Sequence, residues 1–245
     1  VVTTQISFLA DAIIEAAVRF ARRRLEQKRG APKRPDGRPA RFVVLAMGKL
    51  GGNELNYSSD VDLIFLYDVD GKTEPQKGAP ASAARGWSNA EFFDRLAQDV
   101  VKLLSESTPL GIAYRVDLRL RPEGERGPIV RNLESAMHYY DVLGRTWERQ
   151  AYVKARPCAG DMDLGREFLG YLESWIYRRY LGLADITGIK ALKRRIEQRV
   201  IREGHDARNA KTGRGGIRDV EFVIQFLQLL NGGDLPKVRV TGTLE

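Results

Sequence analysis

The sequence predicts an α+β protein: a small mixed α/β unit over residues 1–130 and a helical bundle over residues 131–245, the boundary falling within 125–132. Three observations carry this. Residues 42–47 and 61–67 are short, Val- and Leu-rich apolar runs of strand length. Residues 112–120 alternate apolar and polar side chains. Beyond Gly127 only helical periodicity recurs.

Taken in order, residues 6–27 place Phe8, Leu9, Ile13, Ile14, Ala17, Val18, Phe20 and Ala21 at helical spacing. A Pro/Gly connector leads to the first strand, which Gly48 ends. After the second strand, residues 68–87 read as a long loop of turn-forming residues. Ser88 followed by Glu91 is a capping box, opening a helix to Ser105 with Phe92, Leu96, Val100, Leu103 and Leu104 inward. Residues 112–120 form the third strand. Helices are then expected over 133–153, 164–181, 188–202 and 216–230.

Composition narrows the classes of function. At 43% hydrophobic and 29% charged residues the chain has an ordinary globular balance. No apolar run approaches the roughly 20 residues that cross a bilayer. The opening stretch VVTTQISFLADAIIEAAV lacks a basic leader, and a start at Val1 with an end at Glu245 reads as a piece of a longer polypeptide. A single cysteine, Cys158, excludes an internal disulfide framework and fits a reducing cytoplasm. Only His138 and His205 are present, far apart, which speaks against a histidine metal centre or a Ser-His-Asp triad.

The net charge of +8 points toward nucleic acid, but residues 22–41 hold nine basic side chains against two acids, leaving the other 225 residues near +1. That segment reads as a solvated helix end and loop, with a contact to nucleic acid or an acidic partner as the alternative.

The chemistry gathers in MGKLGGNELNYSSDVDLIFLYD, residues 47–68. Asp60 and Asp62 share one face of the second strand, roughly 6.5 Å apart. Like charges that close call for a cation between them. In YRVDLRLRP the alternation sets Arg115, Asp117, Arg119 and Arg121 on one face. If the two strands are neighbours, Asp117 completes a three-carboxylate cluster. Arg119 and Arg121 then flank it for phosphate oxygens. Three acids and nearby arginines describe two-metal phosphoryl or nucleotidyl transfer. A ladder of solvated ion pairs on an edge strand is the bland alternative.

Two further features keep alternatives open. Lys154 and Arg156 end a helix and either complement its dipole or bind phosphate. Arg218, Glu221, Gln225 and Gln228 form a narrow polar stripe on an apolar helix, facing either a wet cleft or a buried polar network.

The order of glycine turn, DxD strand and Asp-bearing strand resembles the DNA polymerase β-like nucleotidyltransferase superfamily. Its Gly-Ser before the DxD is here Gly48-Lys49, with Gly51-Gly52 following. The blocks GKLGGNELNYSSDVDLIF, RVDLRLRPEGERGP, WERQAYVKARP and GGIRDVEF, spanning residues 42–232, resemble the bifunctional glutamine synthetase adenylyltransferase/adenylyl-removing enzymes, more closely their N-terminal, adenylyl-removing half.

The resemblance implies a polymerase β-like nucleotidyltransferase domain followed by an all-α bundle. It makes Asp60, Asp62 and Asp117 the catalytic, metal-binding acids for two Mg²⁺ or Mn²⁺ ions. Gly48, Lys49, Gly51, Gly52, Ser59, Arg119, Arg121, Lys154, Arg156, Arg218 and Glu221 become the nucleotide- and phosphate-binding set. The implied substrates are an adenine nucleotide and inorganic phosphate, with glutamine synthetase as protein substrate. A PII-type signalling protein acts through the full-length enzyme, and nucleic acid and membrane are not expected as partners.

Overall fold

A computed structural model describes residues 2–74, 86–178 and 216–243, with isolated positions 187, 191, 194 and 198. The chain runs α1 (Val2–Arg29), β1 (Ala31–Lys33), β2 (Phe42–Ala46), α2 (Gly48–Gly51), β3 (Val61–Tyr67), β4 (Lys72–Glu74) and α3 (Asn89–Ser105). It continues through β5 (Val116–Asp117), β6 (Val130–Asn132), α4 (Leu133–Val142), α5 (Thr146–Tyr152), β7 (Arg156–Gly160) and α6 (Met162–Ile176). The helix Ile217–Asn231, here α7, follows the undescribed stretch.

The main sheet has the order β5-β3-β2-β7, with β6 also pairing β3. β2 is antiparallel to both β3 and β7, while β5 and β6 run parallel to β3 along one edge. The architecture is a mixed α+β arrangement of three layers. Phe42, Val44, Ala46, Leu63, Phe65 and Tyr67 face the layer of α1 and α3. Val43, Leu45, Met47, Ile64 and Leu66 face Tyr140, Tyr152, Phe168 and Trp175 of α4 to α6 and Leu229 of α7. Strands covered on both faces must be apolar at nearly every position, which explains the continuous runs in β2 and β3.

The capping box forms as expected: the Ser88 hydroxyl accepts from Glu91 N, and Ser88 N donates to the Glu91 carboxylate at 2.8 Å. The side chains α1 turns inward differ from expectation. Ser7, Ala10, Ile14, Val18, Ala21 and Leu25 are buried, whereas Phe8, Leu9 and Phe20 are exposed. Small residues at Ala10 and Ala21 set the contact stripe, and the large aromatics fall on its flanks. Leu103 of α3 is likewise exposed.

Three other expectations are corrected. Helices do not stand alone after Gly127, because β6 and β7 complete the sheet from beyond residue 130. Three residues in β6 and the Pro157-interrupted run of β7 are too short and irregular to show a period of two. The third strand shrinks to Val116–Asp117, since the Asp117 carboxylate accepts Arg119 N at 2.9 Å and the chain turns there. The helix over 133–153 breaks into α4 and α5 at Gly144. A Cβ on that residue would lie 2.6 Å from the Trp175 ring and from Tyr140 O.

The basic run is partly structural. Arg34 and Arg41 pair with the buried Asp68, Arg22 reaches Glu26 and Ala40 O, and Arg38 pairs with Asp36. Of the expected helix over 188–202 only the isolated positions 191, 194 and 198 are among the described residues, and no described helix is long and apolar enough to cross a membrane.

The layering predicts unequal responses to one truncation. Phe168→Ala, in the wholly buried second layer, should lower the free energy of unfolding by about 3–5 kcal/mol. Phe8→Ala on the open side of α1 should change it by about 0.5 kcal/mol or less. Urea denaturation followed by circular dichroism compares the two.

Candidate active site

Asp60 immediately precedes β3, and Asp62 follows two residues on. Val61, Leu63 and Phe65 take the α1–α3 face, so Asp62 takes the opposite one, at the end of β3 where that layer thins. The parallel register sets Val61 beside Val116 and Asp62 beside Asp117. The neighbouring strands expected from sequence are therefore observed, and the two carboxylates stand on adjacent strands, about 4.8 Å apart at the backbone.

Each outer acid is engaged by an arginine. Arg115 Nε donates to Asp60 Oδ1 at 2.5 Å and its Nη2 to Ser58 O at 2.6 Å. Arg119 chelates Asp117, its Nε lying 3.0 Å from Oδ1 and 2.8 Å from Oδ2. The hydrogen bonds from the Arg119 side chain hold the Asp117 carboxyl below its ordinary range, against an opposing effect of burial. The ion-pair ladder is thus realised in part: Arg119 pairs with Asp117 and Arg115 with Asp60, while Arg121 stands outside it.

The turn before β3 is shaped around Asp62. Met47 N bonds Asp62 O at 2.9 Å, so β2 ends directly beside the acid. Gly48 has φ +53°, and a Cβ there would fall 2.6 Å from Asp62 Oδ2. Only glycine lets the backbone pass this close to the carboxylate in that conformation. Gly51 serves a different contact: its Cβ would lie 1.8 Å from Lys154 O, so the residue packs α2 against the α5–β7 turn. Gly52 sits against Thr241 O and the Lys154 chain. Lys49 and Ser59 are partly buried, on α2 and in the loop before β3.

Two residues of the expected phosphate-binding set, Lys154 and Glu221, lie in a second cluster at the other end of α2. Lys154 is nearly buried; its Nζ bonds Glu54 Oε2 at 2.8 Å and Thr243 Oγ1 at 2.7 Å, with Glu221 at 3.8 Å. Burial opposes a charge on Glu54, but the bonds from Lys154 and Thr243 outweigh it and its pKa is lowered. Gln225 accepts from Gln150, and Gln228 donates to Val238 O and Val240 O, so the lower part of the stripe is a buried network.

Arg218 is exposed on the first turn of α7. Arg156 grips Asp11 of α1 and Leu50 O. Arg121 donates to Leu118 O, Glu125 O, Gly127 O and Pro128 O, which commits it to the turn after β5. Sequence reasoning passed over Glu54, which has no periodic signal, and did not give Arg115 a role despite its place on the polar face.

Hard carboxylate oxygens in this register have the donor chemistry that Mg²⁺ or Mn²⁺ takes. As the side chains lie, no group of three Asp, Glu, His or Cys residues among those described is drawn together around one point. Asp60 Oδ1 and both Asp117 oxygens are engaged by Arg115 and Arg119 in this arrangement.

A small mixed sheet with helices on both faces presents an aspartate pair at the mouth of an interior strand. Comparison with known proteins is narrower. Residues 1–171 match the family model of glutamate-ammonia ligase adenylyltransferase, and the chain belongs to that family. Residues 190–244 match the model of GlnD PII-uridylyltransferase.

Among its relatives are proteins named bifunctional glutamine synthetase adenylyltransferase/adenylyl-removing enzyme. That of Pseudomonas aeruginosa is 45% identical over 247 residues, covering 98% of this chain and 24% of that protein. The Hahella chejuensis protein is 42% identical over 233 residues, covering 95% and 23% respectively. The Methylococcus capsulatus protein is 43% identical over 247 residues, covering 100% and 25%. The chain thus spans about a quarter of the length of these relatives.

The Arg119 chelate has a direct spectroscopic consequence. In Arg119→Ala the Asp117 carboxyl should titrate at higher pH than in the unmutated chain, toward the ordinary aspartate range of about 3.9. Stability drawn from the lowered value is present at neutral pH and is lost as pH falls through the folded-state pKa. Carboxyl-carbon NMR across an acid titration reads the shift.

Proposed function

We propose that this chain is a catalytic unit acting on glutamine synthetase, removing AMP from an adenylyl-tyrosine by phosphorolysis. The observation that carries the reading is the register pairing of Asp62 with Asp117 beside Gly48. The family membership and the names of the relatives supply the substrate class.

Two divalent ions held by Asp60, Asp62 and Asp117 would supply Lewis-acid stabilisation of the phosphoryl oxygens. The chain's own residues do the rest. The Gly48–Gly51 turn brings backbone close to Asp62. Arg119, on the open edge, offers a fork of donors to the non-bridging oxygens. An oxygen of inorganic phosphate attacks the α-phosphorus in line and the bond to the tyrosine oxygen breaks. The tyrosine departs as phenolate and ADP is formed. With a solution pKa of about 10, the phenol is a competent leaving group. No protein nucleophile is required.

The nucleotidyltransferase unit under this reading extends through α6, since β6, β7 and the α4–α6 layer complete the sheet that presents the acids. Lys154 and Glu54 then brace α2, with Lys49, Ser59 and Arg218 left on the accessible side. The match of residues 190–244 to a PII-uridylyltransferase model supports regulation by a PII-type signalling protein through the longer enzyme. The reading places the protein in the cytoplasm, with its substrate.

The test is to incubate the chain with adenylylated glutamine synthetase, phosphate and Mg²⁺ and follow ADP. Production of ADP is expected, and Asp62→Asn should reduce it more than about a hundredfold. Pyrophosphate released from ATP and unmodified glutamine synthetase, with no ADP in the first assay, reverses the direction of the reaction. The absence of both products contradicts the reading.

A further inference from the structure

We infer that Arg115 and Arg119 are built-in counter-ions that compete with the divalent cation for Asp60 and Asp117, and that a tetrahedral dianion, by drawing them away, tightens cation binding. The inference rests on the reading of Asp60, Asp62 and Asp117 as the cation-binding set.

The carboxylate oxygens that a cation needs are those the guanidiniums hold. Asp60 Oδ1 accepts from Arg115, and both oxygens of Asp117 accept from Arg119. With the two arginines in place the three acids carry a net charge near −1 rather than −3. An arriving cation meets two positive charges as well as its ligands.

The two arginines are also the ones in their segment that can leave. Their side chains are 61% and 67% exposed. The Arg115–Asp60 pair, exposed on both sides, is worth about 0.2–1 kcal/mol; the Arg119–Asp117 pair is held more firmly, since Asp117 is only 15% exposed, but its guanidinium is free to swing into solvent. Arg121, two residues on, is tied to four backbone carbonyls and has no such freedom. The pattern RVDLRLR therefore separates two exchangeable cations from one structural one.

A dianion bound at the open edge gives the released guanidiniums a better partner than water. Dianion and metal then bind cooperatively, and by linkage each strengthens the other equally. Without substrate the site stays nearly neutralised, which limits capture of a metal in an unproductive complex.

Mn²⁺ binding to the chain, followed by loss of the free-ion paramagnetic resonance signal at constant ionic strength, tests this without any turnover. Arg115→Ala should tighten Mn²⁺ by about two- to fivefold, the range set by an exposed ion pair, and Arg119→Ala, which frees the less exposed Asp117, by at least as much. Arg115→Lys, which keeps the charge, should stay near the unmutated value. Sulfate, a dianion that complexes Mn²⁺ weakly, should tighten Mn²⁺ in the unmutated chain and lose most of that effect in the double alanine variant.

Asp62→Asn, outside both ion pairs, should weaken Mn²⁺ binding. If it does so while the arginine variants bind Mn²⁺ unchanged or more weakly, the inference is overturned and the metal reading stands. If Asp62→Asn leaves Mn²⁺ binding unaltered, the metal reading fails and takes the inference with it.

Discussion

The parallel register between β3 and β5 is the constraint on which the site depends. It is only two residue pairs long, yet it fixes which side chains meet: Val61 with Val116 toward the core, Asp62 with Asp117 away from it. A slip by one residue would turn a carboxylate into the α1–α3 layer and a valine toward water. Burying that charge without a partner costs several kcal/mol at least. The apolar core therefore enforces the acid pair: the more tightly β3 is packed on both faces, the less freedom Asp62 has to stand anywhere else.

The short turn α2 carries this order to the other half of the molecule. One end, Gly48, abuts Asp62; at the other end, Gly52 touches Glu54 and the Lys154 chain. Four residues of helix cover about 6 Å, so the acid cluster and the buried Lys154–Glu54 pair are mechanically one assembly. A buried ion pair of this kind is weak as a source of stability, because desolvation offsets its attraction. Its effect here is positional, since Lys154, Glu54 and Thr243 lock α2 between β3 and the chain near residue 241. Arg156, gripping Asp11 and Leu50 O, adds α1 to the same bracket.

Much of this was legible in the sequence where a periodic or chemical pattern exists. β2 and β3 declare themselves by continuous apolar runs, α3 by its capping box, and the Asp62–Asp117 pair by aspartates set at the start of apolar strands. What escaped lacks such a pattern. β6 is three residues, and β7 contains Pro157 and a register shift. Both are strands because a partner edge is present in space, a tertiary effect that no local period records. The break between α4 and α5 comes from the Trp175 ring pressing on Gly144, contributed by a helix roughly thirty residues on. Arg121 looked like a phosphate ligand because alternation extends a strand through it. The turn at Arg119 ends the strand and leaves its guanidinium among carbonyls. Arg115 and Arg119 realise the bland reading of that pattern as ion pairs to Asp60 and Asp117; under the proposal those pairs are the resting form of the site.

The central claim is that the β3–β5 register builds a cation site out of Asp60, Asp62 and Asp117. Its most direct test is anomalous diffraction from crystals of the chain grown with Mn²⁺ and a tetrahedral dianion, with data collected on both sides of the manganese absorption edge. The account predicts anomalous density between Asp62 and Asp117, with the Arg115 and Arg119 guanidiniums turned toward the dianion. Manganese found only elsewhere, with both arginines still seated on Asp60 and Asp117, would contradict it.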